Sequence, residues 1–187
     1  MREAEGRSKT HDDKGNRTPD KESFVRLYEE DMPKVFRYMS YRVNDITVAE
    51  DLTSAVFEKA MTRLSSYRSD KSSFSTWLFT IARNTVIDHY RMVTKKQTVP
   101  LEEVAEMSET KSSPEEEFSR KEERQRLQVC LAVLSNQEQD IVSFKFASEL
   151  TNRQIANMIG LSESNVGTIL YRAVRKLRDC FEGWQNG

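Results

Sequence analysis

Arg172, Arg175, Lys176 and Arg178 crowd one stretch near the C-terminus, with Lys145 and Arg153 upstream of them. Guanidinium and ammonium groups concentrated in this way neutralise phosphates, and an arginine fork can grip the edge of a guanine. That is binding chemistry rather than bond-making chemistry. The groups that make or break bonds are sparse by comparison. His11 lies in a polar tail, and His89 has no partner in the pattern. Cys130 and Cys180 each stand alone, without CxxC spacing or a nearby histidine. They read as small core residues on helices, not as a disulfide framework or a zinc site. With no P-loop, no glycine-rich phosphate cradle and no metal-spaced cluster, the sequence predicts no catalytic residue, metal site or cofactor.

The cations need a scaffold, and the residues before them supply one. Thr151 to Tyr171 has the pattern of a helix-turn-helix. Ala156 is small where two helices would cross, and Gly160 stands where a turn needs a positive φ. Ile155, Ile159, Leu161, Val166 and Ile169 would lock the second helix on the first. Ser162 can cap the second helix, while Thr151 with Gln154 and Ser135 with Glu138 form capping boxes for the helices before it. The competing reading is an ordinary helical hairpin that binds nothing. The second helix opens with Ser162, Glu163, Ser164, Asn165 and Gly167, few of which suit base reading. The expected readers are therefore Asn165, Thr168, Tyr171 and Arg172.

The rest of the 187 residues reads as helix as well. After a polar tail (1–20), apolar residues from Phe24 to Val43 recur at helical spacing. Pro33 marks either a kink or the first turn of a second helix. Thr47 and Glu50 form a capping box before a helix that buries Val48, Leu52, Val56, Phe57, Ala60 and Leu64. A polar loop, Ser65 to Ser73, precedes a third helix with a stripe of Phe74, Trp77, Leu78, Ile81 and Ala82. Periodicity then fades into a polar strap (95–114) with Glu102, Glu103 and Glu106. Ser113 and Pro114 open a further helix that buries Phe118, Leu127, Cys130, Leu131 and Leu134. The expected fold is all-α: two small helical domains (21–94 and 115–187) joined by a flexible linker, the C-terminal one with the helix-turn-helix. Charged residues make up 32% yet the net charge is −1, so DNA binding would need segregated charge and help from a partner. No apolar run reaches the roughly 18 residues of a membrane span, and the N-terminus lacks a signal-peptide core. A cytoplasmic protein with no membrane insertion of its own is expected.

Three blocks, in order, resemble the bacterial RNA polymerase sigma factors of the extracytoplasmic-function type. AEDLTSAVFEKAMTRLSSYR resembles the segment that docks on the polymerase clamp helices. FSTWLFTIARNTVIDHYR resembles the promoter-melting segment and fixes polar as well as apolar positions. LSNQEQDIVSFKFASELTNRQIANMIGLSESNVGTILYRAVRKLR resembles the C-terminal promoter-binding domain. Together they cover about residues 21 to 181.

The resemblance implies a non-enzymatic specificity subunit. Asp51, Ser54 and Glu58 would meet the β′ clamp helices of core polymerase, and the C-terminal domain would meet the β flap. Tyr67, Arg68, Ser69, Asp70, Lys71, Ser72, Arg83, Asn84, Asp88 and Arg91 would engage the minus-ten element, Asn84 helping to hold an unstacked base. Lys145, Arg153, Ser164, Asn165, Gly167, Thr168, Tyr171, Arg172 and Arg175 would engage the minus-thirty-five element. The chain departs from the common pattern at Ser54-Ala55, where Gln-Glu is frequent, and at Gly167-Thr168-Ile169, where cations are frequent. An anti-sigma partner is expected, able to hold the protein at the membrane; otherwise it would be associated with the nucleoid. The alternative is a free-standing helix-turn-helix regulator.

Overall fold

A computed structural model describes residues 21–43, 45–96 and 114–185. The polar tail, Asn44 and the acidic strap with Glu102, Glu103, Glu106 and Ser113 lie outside the described residues. So does the side chain of Phe118. The described residues form seven α-helices and one short 3-10 turn, with no strand among them.

The first lobe holds three helices. α1 (Lys21–Arg42) is a single helix with Pro33 inside it. Pro33 therefore does not open a second helix. It sits on the exposed side, where water can satisfy the carbonyl its missing N–H leaves free. α2 (Ile46–Arg63) is capped by Asp45, whose carboxylate accepts from the Val48 N–H at 3.0 Å. This corrects the capping box expected at Thr47 and Glu50. Asp45 lies two residues earlier and takes the donor first, which leaves Thr47 inside the helix. α3 (Phe74–Lys96) closes the lobe. Its buried face holds Phe74, Leu78, Ile81 and Ala82 as expected, together with Phe79, which is fully buried. Trp77 is partly buried, in a ring cluster with Tyr67 and Phe74.

The second lobe holds α4 (Pro114–Ala132), α5 (Asn136–Phe146), α6 (Asn152–Ile159) and α7 (Glu163–Gln185). The capping boxes at Ser135–Glu138 and Thr151–Gln154 both form. Leu131, Leu134, Val142 and Ala173 make a small core that ties α4 and α5 to α7. Cys130 and Cys180 form a disulfide with Cα atoms 5.7 Å apart, across 50 positions of sequence. This overturns the reading of the cysteines as separate core residues. Neither has a local partner, and only the antiparallel return of α7 along α4 makes them neighbours.

The lobes pack face to face and share one continuous core. Tyr38 of α1 stacks on Phe144 of α5, ring centres 5.0 Å apart and planes within 4° of parallel. Both side chains are fully buried, and Phe79 adds an edge-on contact to each. Around this stack, Gln128 Nε2 donates to the Ser40 carbonyl at 2.7 Å, and Arg42 Nη1 donates to Gln139 Oε1 at 2.6 Å. The two expected helical lobes are present, and helix packing joins them directly.

Candidate nucleic-acid interface

The helix-turn-helix is built where it is expected. Gly160 adopts φ 72°, the left-handed conformation that lets α6 end and the chain turn into α7. Ile155, Ala156 and Val166 are buried at the crossing, with Ile159, Leu161 and Ile169 packed around them. Ser162 Oγ accepts from the Asn165 N–H at 3.2 Å, so the second helix starts with a side-chain cap.

Among the side chains that α7 leaves in solvent are Ser164, Asn165, Thr168, Tyr171, Arg172, Arg175 and Arg178, with the acidic Glu163, Asp179 and Glu182 also exposed on the same helix. Asn165, Thr168 and Arg172 recur at helical spacing, and Tyr171 is 71% exposed, an unusual place for a large ring. Two residues of the C-terminal set differ from this pattern. Gly167 is half-buried beside α6, where an added Cβ would meet the Asn152 side chain at 3.7 Å, an ordinary van der Waals contact. Lys176 bonds both carboxylate oxygens of Glu138, at 2.8 and 3.0 Å, and so braces α7 against the start of α5. That hydrogen bond holds the Glu138 carboxyl below the ordinary carboxylate range, with the Ser135 N–H and hydroxyl adding to it. Arg153 is exposed at the start of α6, and Lys145 is half-buried at the end of α5.

In the first lobe, Asn84, Asp88 and Arg91 lie on one exposed face of α3, Arg91 paired with Asp88 at 3.7 Å. The loop before α3 is anchored rather than loose. Tyr67 is buried against Phe74, and its hydroxyl donates to the Ser72 carbonyl at 3.2 Å. Arg68, Ser69, Asp70 and Lys71 stay exposed around that anchor. Asp51, Ser54 and Glu58 share the outer face of α2.

Arg83 is drawn away from the rest. Its Nε donates to Asp140 Oδ2 at 2.9 Å, across the boundary between the lobes. Arg42 pairs with the other oxygen of the same carboxylate at 3.4 Å. Asp140 is nearly buried, and its charge adds to the burial that pushes the Tyr38 hydroxyl far above the ordinary phenol range. Sequence reasoning missed Arg42 and Asp140. They stand 98 positions apart and carry no local signal, since the pairing exists only once α5 lies on α1 and α3.

The fold is thus that of a two-lobed, all-helical protein with a helix-turn-helix in its second lobe. The family models for Sigma-70 region 2 and Sigma-70, region 4 match residues 27–95 and 124–177. The chain is 34% identical to the ECF RNA polymerase sigma factor BldN of Streptomyces coelicolor, over 83% of this chain and 59% of that protein. It therefore spans about three-fifths of that relative's length. It is 32% identical to the RNA polymerase sigma factor YlaC of Bacillus subtilis, over 84% of this chain and 91% of that one. Among solved structures, the sigma factor RpoE in complex with the anti-sigma factor NepR from Bartonella quintana shares the fold. The TM-score is 0.66 at 21% identity, with 86% of this chain and 98% of that one covered. The complex of CnrH with the cytosolic domain of CnrY also gives 0.66, at 18% identity over 89% and 92% of the two chains. The chain belongs to the sigma-70 family of RNA polymerase sigma factors and, within it, to the extracytoplasmic-function type.

Proposed function

We propose that this protein is a dissociable, non-catalytic specificity subunit that directs core RNA polymerase to promoters. The observation that carries the reading is the presence of both family regions in one chain, each on its own helical lobe. In this reading α2 docks on the polymerase clamp through Asp51, Ser54 and Glu58, and the second lobe meets the β flap. The exposed face of α3 around Asn84, with the loop 68–72, takes an unstacked base of the minus-ten element. The α7 face with Asn165, Thr168, Tyr171 and Arg172 enters the major groove at the minus-thirty-five element. The neutral net charge then costs little, because polymerase supplies much of the grip on DNA. No helix among the described residues is long and apolar enough to cross a membrane. In this reading the protein acts at the nucleoid and is held in reserve by an anti-sigma partner; the neighbour RpoE of Bartonella quintana is in complex with the anti-sigma factor NepR.

The test is in vitro transcription with purified core polymerase and genomic DNA. Discrete promoter-specific transcripts that need the protein are expected. Tight, two-fold-symmetric binding to duplex DNA without polymerase, and no transcript, would instead identify a free-standing regulator.

A further inference from the structure

The front of α7 is short-sided and almost uncharged. From Glu163 to Tyr171 the helix carries no cation, and Glu163 is its one charged residue before Arg172. Glu163 is exposed and repels phosphates, so this part of the helix gains little from a DNA backbone. Ser164, Asn165 and Thr168 are exposed, and none of them is long. A long cation can reach a base edge from a distance. These side chains cannot, so the helix must lie close to the groove floor before its front touches a base. What it then offers is two short, neutral groups one turn apart, Asn165 and Thr168.

Bonds within the helix set the chemistry of those two groups. The Thr168 hydroxyl donates to the Ser164 carbonyl at 3.1 Å, one turn back. Its only proton is thereby committed, and the γ-methyl is the part of this exposed side chain not turned onto the helix. Thr168 thus meets a ligand as a methyl group rather than as a hydrogen-bond donor. The Asn165 backbone N–H is bonded to Ser162 Oγ at 3.2 Å, which fixes the residue in the first turn. Its side-chain amide makes no hydrogen bond among the described residues. An amide that both donates and accepts matches N7 and N6 of adenine, and a methyl matches the C5-methyl of thymine. Guanine, with two acceptors, and cytosine, with a donor and no methyl, suit these groups less well.

Resting on the promoter reading above, we propose that Thr168 reads a thymine of the upstream element through contact with its C5-methyl group, and that Asn165 grips an adenine beside it. The front half of α7 is then a reader of A·T pairs. Arg172, two turns behind Asn165, is left to the guanine contact that its fork allows. Recognition of this kind adds discrimination without adding charge, which suits a chain whose net charge is −1.

The experiment uses holoenzyme formed from the full chain and core polymerase, with synthetic duplexes of a promoter recovered by transcription. Each thymine of the upstream element is replaced in turn by deoxyuridine, which pairs identically and lacks only the C5-methyl group. At one position the change should weaken wild-type binding roughly fourfold, the value of burying one methyl group. Thr168→Ser keeps the hydroxyl and loses the methyl. It should bind the thymine duplex roughly fourfold more weakly and be indifferent to deoxyuridine at that position. Thr168→Val keeps a methyl and loses the hydroxyl, and should behave as wild type. The reverse ranking, with Ser unaffected and Val weakened, makes the hydroxyl the reader and overturns the proposal. A Thr168→Ser variant that still loses affinity on the deoxyuridine duplex overturns it too. 7-Deazaadenine, which lacks N7, tests the neighbouring adenine: it should weaken wild type and leave Asn165→Ala unchanged, and equal losses would remove Asn165 from the reading. The deoxyuridine scan of the wild-type protein stands whether or not a variant folds. Absence of any protein-dependent transcript would sink the promoter reading itself. Promoter-specific transcription with no deoxyuridine-sensitive position in the upstream element sinks this inference alone.

Discussion

In the proposed reading Arg172 and Asn84 serve different steps, and single substitutions would separate them. Arg172 is exposed on α7, so losing the base contact proposed for it would weaken use of the upstream element without touching the core. Arg172→Ala is expected to cost about 1–3 kcal/mol in promoter binding, most of it at one base position, read by footprinting on mutated promoters. Asn84→Ala should leave polymerase association intact and slow open-complex formation, read by permanganate reactivity; equal loss of polymerase binding would refute its assigned role. Glu138 tests the structure rather than the function. Its pKa is depressed in the folded state, chiefly by Lys176, so its stabilisation is present above the ordinary carboxylate pKa of about 4.3. That stabilisation is lost as pH falls through the lower folded value. Glu138→Gln keeps the helix cap and removes the charge. Its melting temperature should fall less steeply than wild type across this acid window, and parallel curves would show that Lys176 contributes nothing.

At the scale of the element, the turn between α6 and α7 depends on one backbone conformation. Gly160 has φ 72°, and an added Cβ there would meet nothing within 4 Å. Gly160→Ala should therefore show a backbone cost alone, about 1–2 kcal/mol in denaturant unfolding, with no clash added. This turn was legible in the sequence because a residue of its kind is needed locally, and the same holds for the caps at Ser135 and Thr151. The cap of α2 was misread for an equally local reason. Thr47 and Glu50 satisfy the capping-box pattern, but Asp45 stands ahead of them and reaches the Val48 N–H. Two candidate caps within three residues compete, and the first to accept the donor sets where the helix begins.

For the whole molecule, the disulfide and the lobe contact are the two features that local patterns did not reveal. The bond between Cys130 and Cys180 closes a loop containing α5, α6 and most of α7. Chain entropy predicts about 4 kcal/mol of stabilisation for a loop of this size. Replacing both cysteines by serine should lower the denaturant midpoint of the second lobe accordingly. A change under about 1 kcal/mol would mean that the core of Leu131, Leu134, Val142 and Ala173 already holds the chain ends together.

By itself the sequence determined the helical class, the two family regions, the helix-turn-helix and most of its exposed face. The helical class and the helix-turn-helix follow from neighbours within a few turns (apolar spacing, caps and one glycine), and the two family regions from the resemblance of three sequence blocks. Tertiary structure alone decided that the lobes share a core through Tyr38 and Phe144, that the cysteines join, and that Arg83 meets Asp140 instead of solvent. Those pairings span 50 to 106 positions and rest on how helices dock after they form. A carboxylate on α5 looks the same in sequence whether it faces water or two guanidinium groups, and only packing distinguishes the two.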